Sequence, residues 1–210
     1  MFHSEQISIF FIAALLLNLA PGNDMIYVAS RTVSQGTRAG MISALGVFAG
    51  CLVHIFAAVL GLSIIIARSA ALFEAVKLAG AAYLVYLGIR AVLRKTEIRE
   101  GTNSLPATGS MKLFKQGAAT NILNPKVAVF FLSFLPQFVN TGLSSVKLQL
   151  LTLGLWFDVQ GTIVLIIVAY LIGRTTGFLK KNPRILVVQE KVTGFVLVGL
   201  GLKMAFSSNR

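Results

Sequence analysis

A proline interrupts an apolar run twice in this chain, within Asn18-Leu-Ala-Pro-Gly-Asn-Asp24 and within Asn121-Ile-Leu-Asn-Pro-Lys126. A proline inside a membrane helix removes a backbone hydrogen bond and clashes with the preceding turn. Main-chain groups are then freed where hydrocarbon offers them no partner. Interrupted apolar segments in corresponding places of two halves are the best indication that a sequence gives of a transporter's binding site.

The composition of the whole chain places it in the membrane. Its 210 residues are 56% hydrophobic and only 12% charged, with a mean hydropathy of +0.81, far from the composition of a soluble domain. A helix needs about 20 apolar residues to cross a hydrocarbon core of about 30 Å. Six stretches meet that length, at about 7–28, 41–67, 71–92, 115–138, 148–172 and 186–206. We therefore predict an all-α polytopic membrane protein with six transmembrane helices, the first and fourth broken by proline.

One long polar stretch, residues 95–112, separates these helices into two sets of three. It is rich in Gly, Ser, Thr and charge, which is typical of a flexible linker. Because three is odd, the second set must cross the membrane in the opposite sense to the first. We therefore predict two inverted three-helix repeats, residues 1–94 and 113–210. The separation of Pro21 and Pro125 by about half the chain supports this duplication.

The net charge of +12 is distributed in a way that indicates membrane topology. Thirteen Lys and Arg residues fall in or beside the first, third and fifth loops, against five on the opposite side. Basic loops remain in the cytoplasm, so both termini are predicted to lie outside. The orientation of the protein in the lipid bilayer thus explains the positive charge, and no nucleic-acid partner is predicted.

Small residues and the few potential metal ligands set further expectations. The pair Gly46-x-x-x-Gly50 in the second span predicts close helix packing inside the fold, with a homodimer interface as the alternative. Cys51 is the only cysteine in the chain, which excludes an intrachain disulfide. Together with His54, one turn away, it offers too few ligands for a metal, so His54 is expected to pack or to form hydrogen bonds. No metal site and no cofactor are predicted.

Ionisable side chains within the spans are the candidates for function, because burying one in a membrane costs about 2.5–3.5 kcal/mol. Asp24 and Lys126 hold similar positions relative to their prolines, so an inverted-repeat axis would bring them together. Such a pair could bind the ammonium and carboxylate groups of an amino acid. The alternative is a salt bridge between Asp24 and Lys126 that only joins the two breaks. The predicted substrate site comprises Asn18, Pro21, Gly22, Asp24, Asn121, Asn124, Pro125 and Lys126.

Asp158 lies inside the fifth span with no cation beside it in the sequence. A buried carboxyl group that can load and release a proton makes Asp158 the leading candidate for proton coupling, with pairing to Lys126 or a loop arginine as the alternative. One proton entering down about 100 mV supplies about 2.3 kcal/mol. That free energy supports an outward gradient of roughly forty-fold for a neutral solute.

Both breaks belong to longer motif blocks. The first continues as Met25-Ile-Tyr-Val-Ala-Ser-Arg31 and Gly36-x-Arg38-Ala-Gly40; the second is preceded by Gly117 and followed by Phe130-Phe-Leu-x-Phe-Leu-Pro-Gln137-Phe. Over essentially its full length the chain resembles the LysE/RhtB family of amino-acid exporters. The resemblance implies a multi-pass protein of the bacterial inner membrane that exports amino acids by proton antiport. Asn23 stands where similar sequences commonly have a second proline, so the substrate does not follow from any one relative.

Neutral amino acids resembling threonine, homoserine or leucine are the expected substrates, because a basic substrate would require more buried carboxylates than Asp158 alone. The expected mechanism is alternating access around a fixed site. An intramembrane aspartyl enzyme using Asp24 and Asp158 is the alternative from another class, but the sequence lacks the usual hydrolase motifs and no enzyme is predicted. An ion or metal exporter on the same architecture is the third hypothesis.

Overall fold

The computed structural model describes residues 4–64, 70–93, 108–140, 142, 145–174 and 184–206. Every regular element in these ranges is helical, which confirms the all-α prediction. The α-helices are α1 (Ser4–Leu19), α2 (Asn23–Gln35), α3 (Thr37–Ala57), α4 (Ala70–Leu93), α5 (Ser110–Ile122), α6 (Pro125–Val129), α7 (Val146–Arg174) and α8 (Arg184–Phe206). A π-helical turn, Ala58–Leu62, extends α3; a second, Phe130–Phe134, and a 3-10 turn, Leu135–Phe138, extend α6.

The described helices include three to five candidate membrane spans, which confirms a polytopic membrane protein. Three are continuous: Thr37–Leu62, Ala71–Leu93 and Val146–Arg174. Two more arise if each bent pair is one span, Ile7–Leu19 with Asn23–Gln35 and Ser110–Ile122 with Pro125–Phe138. Both pairs bend by 48°. The sixth predicted span coincides with α8, whose described apolar part is the shorter Gly194–Lys203.

The bends occur at the two prolines. Helix α1 ends at Leu19, Gly22 has an extended backbone, and α2 begins at Asn23. In the second bend α5 ends at Ile122 and α6 begins at Pro125, where a missing N–H is tolerated because the first helical N–H has no helical acceptor. Asn124 caps α6, its Oδ1 accepting from the backbone N–H of Lys126 at 3.1 Å.

Glycines bring α3 into close contact with α5. A β-carbon added at Gly46 would strike the backbone of Phe114, and one at Gly50 would strike that of Ala118. Gly117 lies in the same way against Ser43 of α3. The pair Gly46 and Gly50 therefore packs within the fold, where α3 also contacts α2 and α7.

A second close pair of helices, α4 and α8, meets through Gly88, Gly194 and Gly201. This pair contacts α1, α6 and the turn Phe130–Phe134. Most of the linker predicted at 95–112 lies outside the described residues, and Ser110 already belongs to α5. The inverted-repeat boundaries and the orientation of the termini stay predictions.

Candidate functional site

The two proline breaks face one small polar cavity. Its wall includes Asn18 and Asp24 from the first break, Asn121 and Lys126 from the second, and Asp158 from α7. The remaining wall is formed by Ala20, Met25, Val47, Cys51, Val127, Phe157, Gly161, Thr162 and Leu165. The water-accessible space within it is about 40 Å³, enough for a few water molecules. Five of the predicted functional residues thus line one cavity, while Pro21, Gly22, Asn124 and Pro125 shape the breaks around it.

A lysine from the second break closes the first. Pro21 has no N–H to donate to the carbonyl of Leu17, four residues earlier. The Lys126 Nζ donates to that carbonyl at 3.2 Å and to the carbonyl of Ala20 at 3.0 Å. Gly22 leaves room for the ammonium group, since an added β-carbon would lie 3.0 Å from Nζ. Lys126 therefore replaces the backbone donors that the first break lacks.

A histidine from α3 performs the corresponding role at the second break. Pro125 cannot donate to the carbonyl of Asn121, and the Nε2 of His54 lies 3.0 Å from that oxygen. A ring nitrogen that faces a carbonyl must carry the hydrogen, so His54 donates through Nε2–H. The imidazole also stacks on Phe131, with ring centroids 6.0 Å apart. The Asn121 carbonyl accepts the Asn124 N–H at 2.9 Å as well.

The Asp24 carboxylate links the two breaks through amide donors. Its Oδ2 accepts from Asn121 Nδ2 at 2.9 Å and from Asn124 Nδ2 at 2.8 Å. Its Oδ1 is buried without a hydrogen-bond partner. No ion pair within 4 Å joins Asp24 to Lys126, two residues whose side chains the structure describes. The structure therefore contradicts the alternative of a direct Asp24–Lys126 salt bridge, although both residues line the cavity.

Asp158 faces the same cavity from α7. The residue is 4% exposed, the thiol of Cys51 lies within hydrogen-bonding reach of its carboxyl group, and its Oδ2 has no partner. No ion pair within 4 Å joins Asp158 to Lys126, which contradicts the pairing with Lys126. Of the loop arginines named with it, Arg94 and Arg99 lie outside the described residues. Asn121 Oδ1 and Thr162 Oγ1 are also buried at this site without hydrogen-bond partners.

Asn18 connects the first break to α7. Its Nδ2 donates to the carbonyl of Phe157 at 3.1 Å and to the Oε1 of Gln160 at 3.4 Å. Gly161 lies so close that a β-carbon there would be 2.8 Å from Asn18 Oδ1. The asparagine amide is thus used to join helices.

Sequence reasoning did not place Cys51, His54 or Thr162 at the site. The first two occupy the face of α3 that also carries Gly46 and Gly50, and that glycine face packs on α5 next to the second break. His54 follows Cys51 by three residues and Gly50 by four. Residues at these spacings lie on one side of a helix, and this pattern was the sequence signal that could have placed them at the site. Thr162 lies one turn after Asp158 on α7 and has the same kind of signal.

The fold and this cavity define a polytopic membrane protein whose polar site lies between two broken helices. Residues 15–208 match the family model described as LysE type translocator. The chain belongs to this family. No solved structure matches it.

Three relatives cover nearly the whole chain. The membrane protein YrhP of Bacillus subtilis is 32% identical over 204 residues, covering 93% of this chain and 96% of its own. A leucine efflux protein of Klebsiella pneumoniae is 24% identical, covering 93% and 92%. The membrane protein PA4757 of Pseudomonas aeruginosa is 28% identical, covering 89% and 88%. Family and relatives support amino-acid export and a multi-pass membrane location.

Proposed function

We propose that this protein is a secondary active exporter that moves a neutral amino acid out of the bacterial cytoplasm across the inner membrane in exchange for protons. One observation carries the proposal: Asp24, Lys126 and Asp158 line a single buried cavity at two proline breaks. Opposite charges in a membrane cavity are suited to a zwitterion, and family membership supports amino acids as the solute. Because translocators move solutes without transforming them, no enzymatic activity is proposed.

The substrate's ammonium group would bind the unpartnered Asp24 Oδ1 and Asn121 Oδ1. Its carboxylate would accept the one Lys126 N–H that the Leu17 and Ala20 carbonyls leave free. Asn18, Asn124 and the two Pro-containing breaks hold these groups in place. The apolar wall of Met25, Val47, Phe157 and Leu165 fits a neutral, apolar side chain such as that of leucine, the solute named for the Klebsiella pneumoniae relative.

Asp158 is the proposed proton carrier. It is buried at the cavity wall, and one of its carboxyl oxygens has no protein partner. A carboxyl group in this position can exchange a proton with whichever side of the membrane the cavity opens to. The proton would thereby be driven inward while the amino acid is driven outward.

Transport requires the cavity to widen, because about 40 Å³ does not hold a whole amino acid. We propose that two sets of contacts act as its closures. On the side predicted to be cytoplasmic, Arg31 donates to Gln116 at 3.0 Å and Tyr27 donates to the Leu113 carbonyl at 2.7 Å. On the other side the aromatic rings of Phe130 and Phe157 stack at 4.0 Å. Alternating access would open these two closures in turn.

Purified protein in liposomes tests the proposal. With labelled leucine inside and an inward proton gradient, we expect uphill efflux that an ionophore abolishes. Asp158→Asn should lose uphill efflux and retain downhill leucine exchange. Glu97→Gln, which removes a carboxylate from the sequence-predicted linker, is the control and should behave as the unaltered protein. Proton-driven efflux that persists in Asp158→Asn would reject the role of Asp158, and liposomes without any saturable amino-acid flux would reject the function.

A further inference from the structure

The unpartnered polar atoms of the cavity are almost all acceptors. They are Asp24 Oδ1, Asn121 Oδ1 and, once Asp158 has released its proton, Asp158 Oδ2, together with the hydroxyl of Thr162, which can either donate or accept. Asn121 and Asp158 are 2% and 4% exposed, so these atoms have no bulk water to compensate them. Buried acceptors without donors cost free energy until a donor arrives.

The nitrogen donors at the site, by contrast, each already make at least one hydrogen bond. Lys126 Nζ donates to two carbonyls, and the Nδ2 groups of Asn121 and Asn124 both donate to Asp24. His54 donates to the Asn121 carbonyl. A carboxylate entering the cavity would find the third N–H of Lys126, the second N–H of the Asn121 amide and one hydroxyl, all but the hydroxyl on nitrogens that already donate, whereas an ammonium group would find acceptors that have no partner at all.

Charge and size favour the same kind of ligand. When Asp158 has released its proton, two carboxylates, Asp24 and Asp158, face one ammonium group, Lys126, so a monovalent cation improves the electrostatic balance of the cavity. The water-accessible space of about 40 Å³ accommodates a head group of the size of NH₃⁺, which resembles a water molecule in volume. The cavity as it stands thus matches the head of an amine and not a whole amino acid.

We propose that this site recognises a primary ammonium group, that the substrate carboxylate is dispensable, and that the protein therefore also exports primary amines and carboxyl-blocked amino acids. The inference rests on the proposed export function and specifies its substrate class. Amino acids are substrates because they carry an ammonium group next to a side chain that the apolar wall accepts. Analogues that keep the carboxylate but lose the ammonium group are excluded.

Competition with labelled leucine for binding to the purified full-length protein in detergent tests this inference. The competitors are 3-methylbutylamine and leucinamide, which lack a free carboxylate, and 4-methyl-2-oxopentanoate and N-acetylleucine, which lack the ammonium group. We expect the first two to compete within about tenfold of leucine, equivalent to 1.4 kcal/mol. The last two should compete at least about a hundredfold more weakly, because they leave the buried acceptors unpaired.

Asp24→Asn and Asp158→Asn should each weaken the binding of 3-methylbutylamine, while Glu97→Gln should not. If a variant does not fold, the ranking of the four competitors on the unaltered protein still tests whether the site recognises the ammonium group. Equal or stronger competition by the oxo acid than by the amine would overturn the inference while leaving leucine export intact. An absence of leucine binding and of leucine flux would instead overturn the proposed function itself.

Discussion

The first proline break and the second bend the chain by the same 48° but close their backbones with different chemistry. In each, the carbonyl four residues before the proline loses its helical donor. At the first break the ammonium group of Lys126 takes the donor's place, and at the second the imidazole of His54 does so. Each capping group is far in the sequence from the carbonyl that it binds. Lys126 follows the second break, and His54 lies on α3, across the predicted linker from Asn121.

The two breaks share a bend angle but differ in their capping groups, so the geometry of a break and the chemistry of its cap are separate properties. The bend follows from the proline, whereas the cap depends on which side chain the tertiary fold delivers. Of the two capping groups, the ammonium group of Lys126 lines the cavity together with Asp24 and Asp158. We therefore expect the two breaks to respond unequally to equivalent substitutions.

The largest effect is expected at the charged cap. Lys126→Met leaves the carbonyls of Leu17 and Ala20 buried without this donor, which should lower the free energy of unfolding by about 3 kcal/mol. Denaturant titration in detergent micelles measures the change. Lys126→Arg keeps donors at the same place and should recover more than half of the loss. A Lys126→Met protein as stable as the original would show that the first break does not depend on its cap.

The next largest effect is expected in a matched pair of glycine substitutions, which should lower stability by different amounts at the two breaks. Gly50→Ala drives a methyl group into the Ala118 carbonyl, beside Asn121 of the second break, and should destabilise by about 1–3 kcal/mol.

Gly22→Ala at the first break lies on an extended backbone that any residue adopts and places its β-carbon 3.0 Å from Lys126 Nζ. A shift of the ammonium group small enough to keep its two hydrogen bonds relieves this contact, so the substitution should cost less than about 1 kcal/mol. Thermal unfolding of both variants in the same detergent compares them. Equal losses would contradict the view that backbone contact constrains only the second break.

The imidazole cap should matter less than the ammonium cap. His54→Leu removes the donor to the Asn121 carbonyl, which keeps its bond from the Asn124 N–H, so we expect a loss of about 1–2 kcal/mol. His54→Gln, which retains a side-chain N–H, should recover part of that loss. If His54→Leu and His54→Gln were indistinguishable in denaturant titration, ring packing on Phe131 and not the hydrogen bond would explain the role of His54.

The smallest effect separates the two tasks of Asn124. Asn124→Ala loses both the cap of α6 and the donor to Asp24, whereas Asn124→Ser keeps a capping oxygen and loses only the donor. The serine variant should therefore be more stable than the alanine variant by about 1 kcal/mol. Both should weaken leucine binding to a similar degree, because both release Asp24. Identical stability of the two variants would show that the cap contributes nothing.

Local rules were sufficient to locate the breaks and the residues around them. Pro21 and Pro125 predict bends wherever they stand in an apolar helix, and Gly46 and Gly50 predict a close crossing from their spacing alone. Asp24, Lys126 and Asp158 line one cavity, and the substrate and proton roles predicted for them from their positions in the spans stay predictions. The sequence did not predict which amides donate to Asp24 or which carbonyls Lys126 binds. In both cases the two partners lie about 100 residues apart in the chain.

The sequence by itself determined that this chain is a helical membrane protein with two proline-broken helices, because hydropathy and proline act within a few residues. Only the tertiary structure decided that Lys126 binds backbone carbonyls and not Asp24, and that Cys51 and His54 face the site. A freed carbonyl must find a donor somewhere in a medium without water, and which donor reaches it depends on how the helices pack.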